Sequence, residues 1–230
     1  MSARIAVLAS GGGSNLQALL DHFDRLGGRR AGDIVLVASD RRAAGALERA
    51  RARGIEASVL PRGDDAALGA LLREHGADLV VLAGYLRMVP EAVTRRFEGR
   101  MLNVHPSLLP AFGGPGMYGA RVHEAVLAAG VRVTGATVHF VDERYDEGAI
   151  AAQWPVPVAD GDTASSLAAR VLRVEHALFP RAVQALASGT LRLEGRRVVG
   201  APSPPRGASF VTTDDDAALT AAIDAAFSPT

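Results

Sequence analysis

The alternation of short apolar runs with helical segments constrains the fold of this chain more than any other feature. Each apolar run has the length of a strand, and each is followed by residues with apolar positions at helical spacing. The predicted strands lie at residues 4–9, 34–37, 55–60 and 79–83, and the helices begin near residues 16, 43, 64 and 90. Apolar strands separated by helices are typical of a parallel sheet that is covered on both faces. The pattern therefore predicts an α/β fold with a mostly parallel, twisted sheet flanked by helices.

The second half of the chain has a different pattern, in which strands follow each other with a loop between them. The predicted elements are a strand at 100–104, a glycine-rich loop at 112–119, a helix at 122–129, strands at 133–141 and 150–158, a helix at about 163–188 and a small hairpin within 191–199. No linker is evident before Gly200, so we expect one domain over residues 1–200, with halves that meet near residue 100. Residues 201–230 are expected to be a loose tail with one short helix, capped by Asp214 or Asp215.

Composition excludes several classes of chemistry. The chain of 230 residues has no Cys, which excludes disulfides, thiol nucleophiles and thiolate-bound metals. All 25 cationic side chains are Arg, so Schiff-base chemistry and a phosphate-loop lysine are also excluded. The formal net charge is zero, which gives no general electrostatic reason to bind nucleic acid or an anionic membrane. No apolar run has the length of a membrane span, and the N-terminus lacks a signal-peptide layout, so we expect a cytoplasmic protein.

A glycine-rich loop, Ser10 to Asn15, joins the first strand to the first helix. Its backbone N–H groups and the helix N-terminus favour an anion. The consecutive glycines do not fit the dinucleotide fingerprint, and the absence of Lys excludes a Walker loop. We therefore expect a phosphate monoester on a small substrate. The alternative is a tight turn in which Ser14 or Asn15 only caps the helix.

A second candidate site lies at Asn103 and His105, which end the strand at residues 100–104. Residues two apart in an extended segment point to the same side, and Pro106 and Pro110 prevent regular helix after them. An amide donor beside an imidazole suits an oxygen that becomes negative during a reaction. The alternative is a strand end with a capped turn. Because functional loops follow the carboxyl ends of parallel strands, we expect this pair to share a cleft with the glycine-rich loop.

Two further segments are candidates for the same cleft. Residues 84–89 follow the most apolar strand, and Leu86, Met88 and Val89 could line a slot for a planar ring or simply lead into a helix. Residues 142–148 carry four acids, and a carboxylate placed beside a His would raise the pKa of the imidazole. That loop could equally be a solvated turn, and its spacing does not fit a metal site.

The remaining histidines are less informative. His22 and His75 are expected to be structural, and His123 and His139 to pack or bond locally. His176 differs because it follows Glu175 on the long helix, and this pair could reach the cleft. A buried polar contact is the simpler interpretation of the pair.

Taken in series, these motifs resemble the phosphoribosylglycinamide formyltransferase family of folate-dependent purine synthesis. They follow each other in the family's order between residues 4 and 195. The matching segments are 5–16, 82–87, 103–110, 135–142, 146–148 with Gln153, and 170–180. The resemblance implies a Rossmann-like formyltransferase fold, with a phosphate-binding half over about residues 1–100 and a folate-binding half over about 101–200.

The resemblance also implies the reaction and the residues that carry it. The formyl group of 10-formyltetrahydrofolate, the co-substrate, would pass to the amine of N1-(5-phospho-β-D-ribosyl)glycinamide. The implied catalytic residues are Asn103, His105 and Asp146, and the implied substrate-binding residues are Gly12, Gly13, Ser14, Asn15 and Glu175. The implied folate-binding residues are Arg62, Leu86, Arg87, Met88, Val89, Asn103, Glu143 and Tyr145. No metal and no nucleic acid are implied, and the protein is expected to be a monomer or a homodimer.

A mechanism follows from these implied roles. The amine attacks the formyl carbon, and negative charge grows on the formyl oxygen. Asn103 would donate a hydrogen bond to this oxygen, and protonated His105 would stabilise its charge. Asp146 would keep His105 charged at working pH. A proton must also pass from the amine to the folate nitrogen, through His105 or through a bound water.

One segment departs from the commonest pattern of the family, and several related activities compete. The loop at 112–119 is longer than a Phe-Pro-Gly turn and resembles a glycine-rich variant of it. A methionyl-tRNA formyltransferase would carry a further basic C-terminal domain, and a formyltetrahydrofolate deformylase an N-terminal regulatory domain. A formyltransferase for an amino sugar nucleotide is harder to exclude. A non-catalytic nucleotide-binding domain would not need Asn103, His105 and Asp146 together.

Overall fold

The computed structural model describes residues 2–202 and 212–227, which form seven α-helices, a short 3-10 helix (Gly27–Arg29) and two sheets. The strands are β1 (Ala3–Leu8), β2 (Gly32–Ser39), β3 (Glu56–Val59), β4 (Leu79–Leu82), β5 (Met101–His105), β6 (Val133–Phe140), β7 (Ile150–Pro157), β8 (Arg192–Glu194) and β9 (Arg197–Val199). The helices are α1 (Ser14–Leu26), α2 (Gly45–Ala52), α3 (Asp65–Glu74), α4 (Glu91–Arg96), α5 (Ala120–Ala128), α6 (Ala164–Ala187) and α7 (Asp216–Phe227). These elements follow the predicted order closely.

The main sheet has seven strands in the order β3-β2-β1-β4-β5-β6-β7. The first five strands of this order are parallel, whereas β6 is antiparallel to β5 and β7 is antiparallel to β6. The predicted α/β fold with a mostly parallel sheet flanked by helices is therefore confirmed. A loop joins β6 to β7, as suits an antiparallel pair, whereas β5 and β6 are antiparallel although α5 lies between them.

Strand β1 shows how the sequence builds the two faces of the sheet. Ile5 and Val7 belong to one buried cluster, and Ala6 and Leu8 belong to a second one on the other face. Successive side chains of a strand point to opposite faces, so a strand buried on both faces is apolar at every position. The central position of β1 follows from this apolar run.

The C-terminal helix α7 corrects one expectation. Asp215 caps it as predicted, because its carboxylate accepts hydrogen bonds from the backbone N–H groups of Ala217 and Ala218 at 2.8 and 3.2 Å. The expectation of a loose end is wrong, since Leu219 and Ile223 are buried in the main core and α7 packs on α6. No helix within the described ranges has both the length and the apolar character needed to span a membrane.

Candidate active site

A cavity of about 930 Å³ opens where β4 and β5 end, between α1, α5 and α6. Both the glycine-rich loop and β5 contribute to it, so the predicted convergence of these segments on one cleft is confirmed. The structure brings seven of the sequence-derived site residues to its wall. They are Asn15, Leu86, Asn103, His105, Tyr145, Asp146 and Glu175.

The other sequence-derived residues lie outside this cavity. They are Gly12, Gly13, Ser14, Arg62, Arg87, Met88, Val89 and Glu143. Val89 is buried in the core on one face of the sheet, and Arg62 is an exposed loop residue. The Glu143 carboxylate accepts a hydrogen bond from Arg95 on α4 at 2.7 Å, and Glu143 lines a separate cavity of about 420 Å³. The roles of these residues toward folate or phosphate therefore stay predictions.

The reactive groups cluster around Asp146, where the two ends of its carboxylate meet two histidines. Asp146 Oδ2 lies 3.6 Å from His105 Nδ1, and Asp146 Oδ1 lies 3.5 Å from His139 Nε2. The backbone N–H of Gly114 also donates to Asp146 Oδ2 at 2.9 Å. Asn103 completes the cluster, with its Nδ2 3.0 Å from His139 Nε2. An amide, two imidazoles and a carboxylate thus lie side by side.

Two carbonyl groups determine which ring nitrogens carry protons. His105 Nε2 lies 2.9 Å from the carbonyl oxygen of Phe112, and His139 Nδ1 lies 2.9 Å from the carbonyl oxygen of Phe140. A carbonyl oxygen only accepts, so each of these nitrogens must be the protonated one. In neutral His105, Nδ1 therefore carries the lone pair, and it faces the carboxylate of Asp146.

The backbone around His105 has an unusual conformation at both of its partners. Phe112 and Asp146 each have a φ of 56°, and they are the non-glycine residues with positive φ among those described. A left-handed conformation is uncommon for side chains other than Asn, Asp and His, and Phe is bulky. Both partners of His105 thus depend on conformations that the surrounding loops enforce.

Burial and neighbouring groups have opposite effects on the ionisation of His105. Burial lowers the pKa of His105 by more than the Asp146 carboxylate and the Phe112 carbonyl raise it, and His139 lowers it further. Asp146 thus acts on the His105 imidazole in the expected direction, but burial opposes it, and the expectation that Asp146 keeps His105 charged stays a prediction. Burial raises the pKa of Asp146, but hydrogen bonding to His139, the neighbouring His105 and the Gly114 N–H together hold it below its usual value. These directions favour a carboxylate at Asp146 beside a neutral imidazole at His105.

Sequence reasoning gave no site role to His139 or His123. His139 pairs with Asn103 across the antiparallel strands β5 and β6, so its place depends on a register that the sequence does not reveal. His123 on α5 is buried, lines the main cavity and leaves its Nδ1 without a hydrogen-bond partner among the described residues. The alternation of polar residues within β6 was the one available signal for His139.

The glycine-rich loop turns its carbonyl groups toward α1 and α2. Gly11 O accepts from Ala46 N at 3.2 Å, Gly12 O accepts from Arg49 Nε at 2.8 Å, and Gly13 O accepts from Gln17 N at 2.9 Å. The N–H groups of the three glycines make no hydrogen bond within the described part of the chain. Free N–H groups at a helix N-terminus are the usual donors to a bound phosphate.

The first turn of α1 is joined to α6 by a buried hydrogen bond. Asn15 Nδ2 donates to Glu175 Oε2 at 2.6 Å, and both residues line the main cavity. Burial raises the pKa of Glu175 to about 7, although the Asn15 donor opposes this change. Asn15 Oδ1 is buried without a partner in the described residues. This pair therefore offers a carboxyl group and a free amide oxygen to a ligand with hydroxyl groups.

The chain is similar to known formyltransferases in both sequence and structure. A profile described as formyl transferase matches residues 3–183. The chain is 45% identical over 190 residues to a phosphoribosylglycinamide formyltransferase, chloroplastic, from Vigna unguiculata, covering 80% of this chain and 60% of that protein. It is 44% identical over 198 residues to a trifunctional purine biosynthetic protein adenosine-3 from Bos taurus, covering 83% of this chain and 19% of that protein.

A solved structure extends the similarity to the whole domain. The glycinamide ribonucleotide transformylase 1 of Symbiobacterium toebii is 45% identical and superposes with a TM-score of 0.79. The match covers 86% of this chain and 93% of that one. In contrast, the chain spans only about three fifths of the length of the Vigna protein.

Proposed function

Because the chain belongs to the formyl transferase family, we propose that it transfers the formyl group of 10-formyltetrahydrofolate to the amine of N1-(5-phospho-β-D-ribosyl)glycinamide. This is one step of de novo purine (IMP) synthesis. The observation that carries the proposal is the single cavity that holds Asn103, His105 and Asp146 together with the Asn15–Glu175 pair. The first three residues suit acyl transfer, and the pair suits a sugar.

The substrate binds by its two ends. The free N–H groups of Gly12 and Gly13 hold the phosphate at the N-terminus of α1. Glu175 and the free amide oxygen of Asn15 accept hydrogen bonds from the ribose hydroxyls. The glycinamide amine then points along the cavity toward β5, where the formyl group lies beside Asn103.

The folate occupies the part of the same cavity that the glycinamide ribonucleotide leaves free. Leu86 follows β4, and its backbone N–H donates to Ser10 Oγ at 2.9 Å, which ties this loop to the glycine-rich loop. Tyr145 lies on the other side, next to Asp146. The further proposed folate contacts do not line this cavity in the structure, and they are Arg62, Arg87, Met88, Val89 and Glu143. No group of three or more metal-ligating side chains occurs in the described ranges.

The chemistry needs charge stabilisation and one proton transfer. The amine attacks the formyl carbon, and the second N–H of the Asn103 amide donates to the oxygen as it becomes negative. Removing one such donor typically costs about 10²–10³ in rate. Neutral His105 takes the proton that the amine loses at Nδ1, since Nε2 already carries a proton, and Asp146 stabilises the imidazolium that forms. The proton then passes to folate N10 as the bond between N10 and the formyl carbon breaks.

The assay compares the glycinamide ribonucleotide with other acceptors of the formyl group. Purified protein is incubated with 10-formyltetrahydrofolate and the glycinamide ribonucleotide, and tetrahydrofolate release is measured by absorbance. Parallel reactions replace the acceptor with an amino sugar nucleotide, methionyl-tRNA or water alone. We expect turnover with the glycinamide ribonucleotide only. Faster turnover with the amino sugar nucleotide, or hydrolysis in water at the same rate, would reject the proposal in favour of a related transferase or a hydrolase.

A further inference from the structure

A second cavity, of about 320 Å³, lies behind the glycine-rich loop. Ser14 and His176 line it, whereas their chain neighbours Asn15 and Glu175 line the main cavity. The two cavities therefore meet where α1 lies against α6. A ligand whose sugar contacts Asn15 and Glu175 would have its next group at Ser14, on the side of the smaller cavity.

Arg49 on α2 is the cationic residue that joins this smaller cavity to the loop. Its Nε donates to Gly12 O at 2.8 Å, and its Nη1 donates to Gln17 Oε1 at 3.0 Å. Its second terminal nitrogen, Nη2, has no hydrogen-bond partner within the described ranges. A guanidinium has five N–H donors in a fixed plane, so two fixed contacts leave the third nitrogen oriented for a ligand.

The charges around the smaller cavity favour an anion. Asp21 is the carboxylate in its wall, and Arg53 and Gln17 already bind that carboxylate at 3.1 and 2.7 Å. Arg25 and Arg49 add two positive charges to the same wall. Since the charge of Asp21 is paired, the positive charge of Arg49 is available to a ligand.

Glycines keep Arg49 close to the loop. A Cβ at Gly13 would lie 2.7 Å from Ala46 Cα, and a Cβ at Gly45 would lie 3.1 Å from Gly12 O. The loop and the first turn of α2 therefore touch backbone to backbone. This contact places the Arg49 side chain, one turn farther along α2, directly against the carbonyl of Gly12.

We propose that Arg49 makes the site specific for a phosphorylated substrate. Its Nε holds the carbonyl of Gly12, its Nη1 is fixed by the side chain of Gln17, and its Nη2 donates to a phosphate oxygen that the loop N–H groups also bind. The proposal rests on the proposed function, because it assigns the anionic end of that substrate to the loop. Arg49 contributes to binding and takes no part in the proton transfer.

The test compares two substrates that differ only in the phosphate. Values of kcat and KM are measured for the glycinamide ribonucleotide and for its dephosphorylated riboside, in the parent protein and in Arg49→Met. We expect Arg49→Met to raise KM for the phosphorylated substrate by roughly tenfold to a hundredfold, as for the loss of a hydrogen bond to a charged group. The kcat value and the KM for the riboside should stay within about twofold of the parent.

The control is Arg51→Met, which removes an exposed arginine from the same helix and should leave all four constants unchanged. Arg49→Lys keeps the charge but not the planar fork, and it should lie between Arg49→Met and the parent. Equal increases in KM for both substrates in Arg49→Met would show a purely structural role and overturn the proposal. A KM unchanged for the phosphorylated substrate would overturn it as well.

Calorimetric binding separates this inference from the proposed function. If the parent transfers no formyl group, the proposed function fails. The role of Arg49 is then tested by the Kd of inorganic phosphate, which does not depend on activity. The same loss of roughly tenfold to a hundredfold in Arg49→Met is expected there. Equal phosphate affinity in the parent and Arg49→Met overturns the inference. The melting temperature of each variant shows whether it is folded, and if Arg49→Met is unfolded the comparison uses Arg49→Lys.

Discussion

Replacing Asp146 by Asn removes the charge that faces His105 while keeping the size and the hydrogen-bonding oxygen of the side chain. The Asp146 carboxylate favours the charged form of the imidazole, and burial opposes that form. Asp146→Asn therefore removes the larger of the two effects that raise the pKa of His105 and leaves only the Phe112 carbonyl against burial, so this pKa should fall further. The Gly114 N–H can still donate to the side-chain oxygen of the Asn, so the loops that carry Gly114 and residue 146 should keep their positions.

The geometry sets the size of this effect. Asp146 Oδ2 and His105 Nδ1 are 3.6 Å apart, and their side chains are only 11% and 4% exposed. At this distance two unit charges interact by roughly 4–5 kcal/mol if the effective dielectric constant is about 20. Water in the cavity weakens the interaction, but the pKa of His105 should still fall measurably when this opposite charge is removed.

The pH dependence of kcat/KM distinguishes the two roles that His105 can have. If neutral His105 accepts the proton, activity rises with pH through its pKa, and Asp146→Asn moves this rise to lower pH. The maximal value of kcat/KM should also fall, by a factor of about 10²–10⁴, because the imidazolium that forms is no longer stabilised. If His105 instead acts as a cation, activity falls as pH rises through the same pKa.

The titration can also be followed directly by NMR with 15N-labelled histidine. The chain has six His residues, and the signal of His105 is assigned with His105→Asn. Glu147→Gln is the control, because it removes one exposed carboxylate from the same loop. An unchanged titration midpoint of His105 in Asp146→Asn would refute the electrostatic role of Asp146. A midpoint that also moves in Glu147→Gln would refute its specificity.

Three further predictions concern stability. Burial raises the pKa of Glu175 from 4.5 to about 7. The stability that protonated Glu175 contributes is therefore fully present below pH 4.5 and is lost as pH rises through about 7. Glu175→Gln should therefore be more stable than the parent at pH 8, by on the order of 3 kcal/mol in urea unfolding; equal stability would contradict the raised pKa. Gly13→Ala should lower the free energy of unfolding by roughly 1–3 kcal/mol, since Gly13 has a φ of 77° and its Cβ would meet Ala46. Gly11→Ala, which points into open space, should cost under about 0.5 kcal/mol, and similar losses in both would argue against the close contact. Ile223→Ala should cost about 2–5 kcal/mol without changing kcat/KM, because Ile223 is fully buried and does not line the cavity; a smaller loss would show that α7 is detached in solution.

The fold could be predicted because each strand and helix in the parallel half of the sheet has its own pattern of apolar residues in the sequence. Strands β1 and β4 are apolar runs with buried cores, and β3 at the edge of the sheet is only half-buried, but a helix follows each strand of this half. The order of the strands also places the loops after β1, β4 and β5 at one edge, so their convergence could be expected. The tail was harder to predict, since α7 is rich in Ala on all sides and its buried face differs little from the rest of the helix.

The site could be predicted only in part, because it depends on non-local register and burial. Asn103 and His105 share a face through strand geometry, which the sequence reveals. His139 reaches Asn103 through the pairing of β5 with β6, and no sequence spacing encodes that pairing. The charge of His105 was predicted from its neighbour alone, whereas its burial outweighs that neighbour. The oligomeric state and the cytoplasmic location stay predictions.

The hydrogen bond between Asn15 and Glu175 has a consequence for inhibitor design. It joins α1 to α6 at 2.6 Å, at the point where the lining passes from the larger cavity to the smaller one. A compound that fills both cavities must pass beside this bond or supply a donor and an acceptor that replace its two partners. A compound that stays in the larger cavity meets no such requirement, but it gives up the contacts with Ser14 and Arg49. Linker chemistry at this one point therefore decides whether a lead compound can gain affinity from an anionic group.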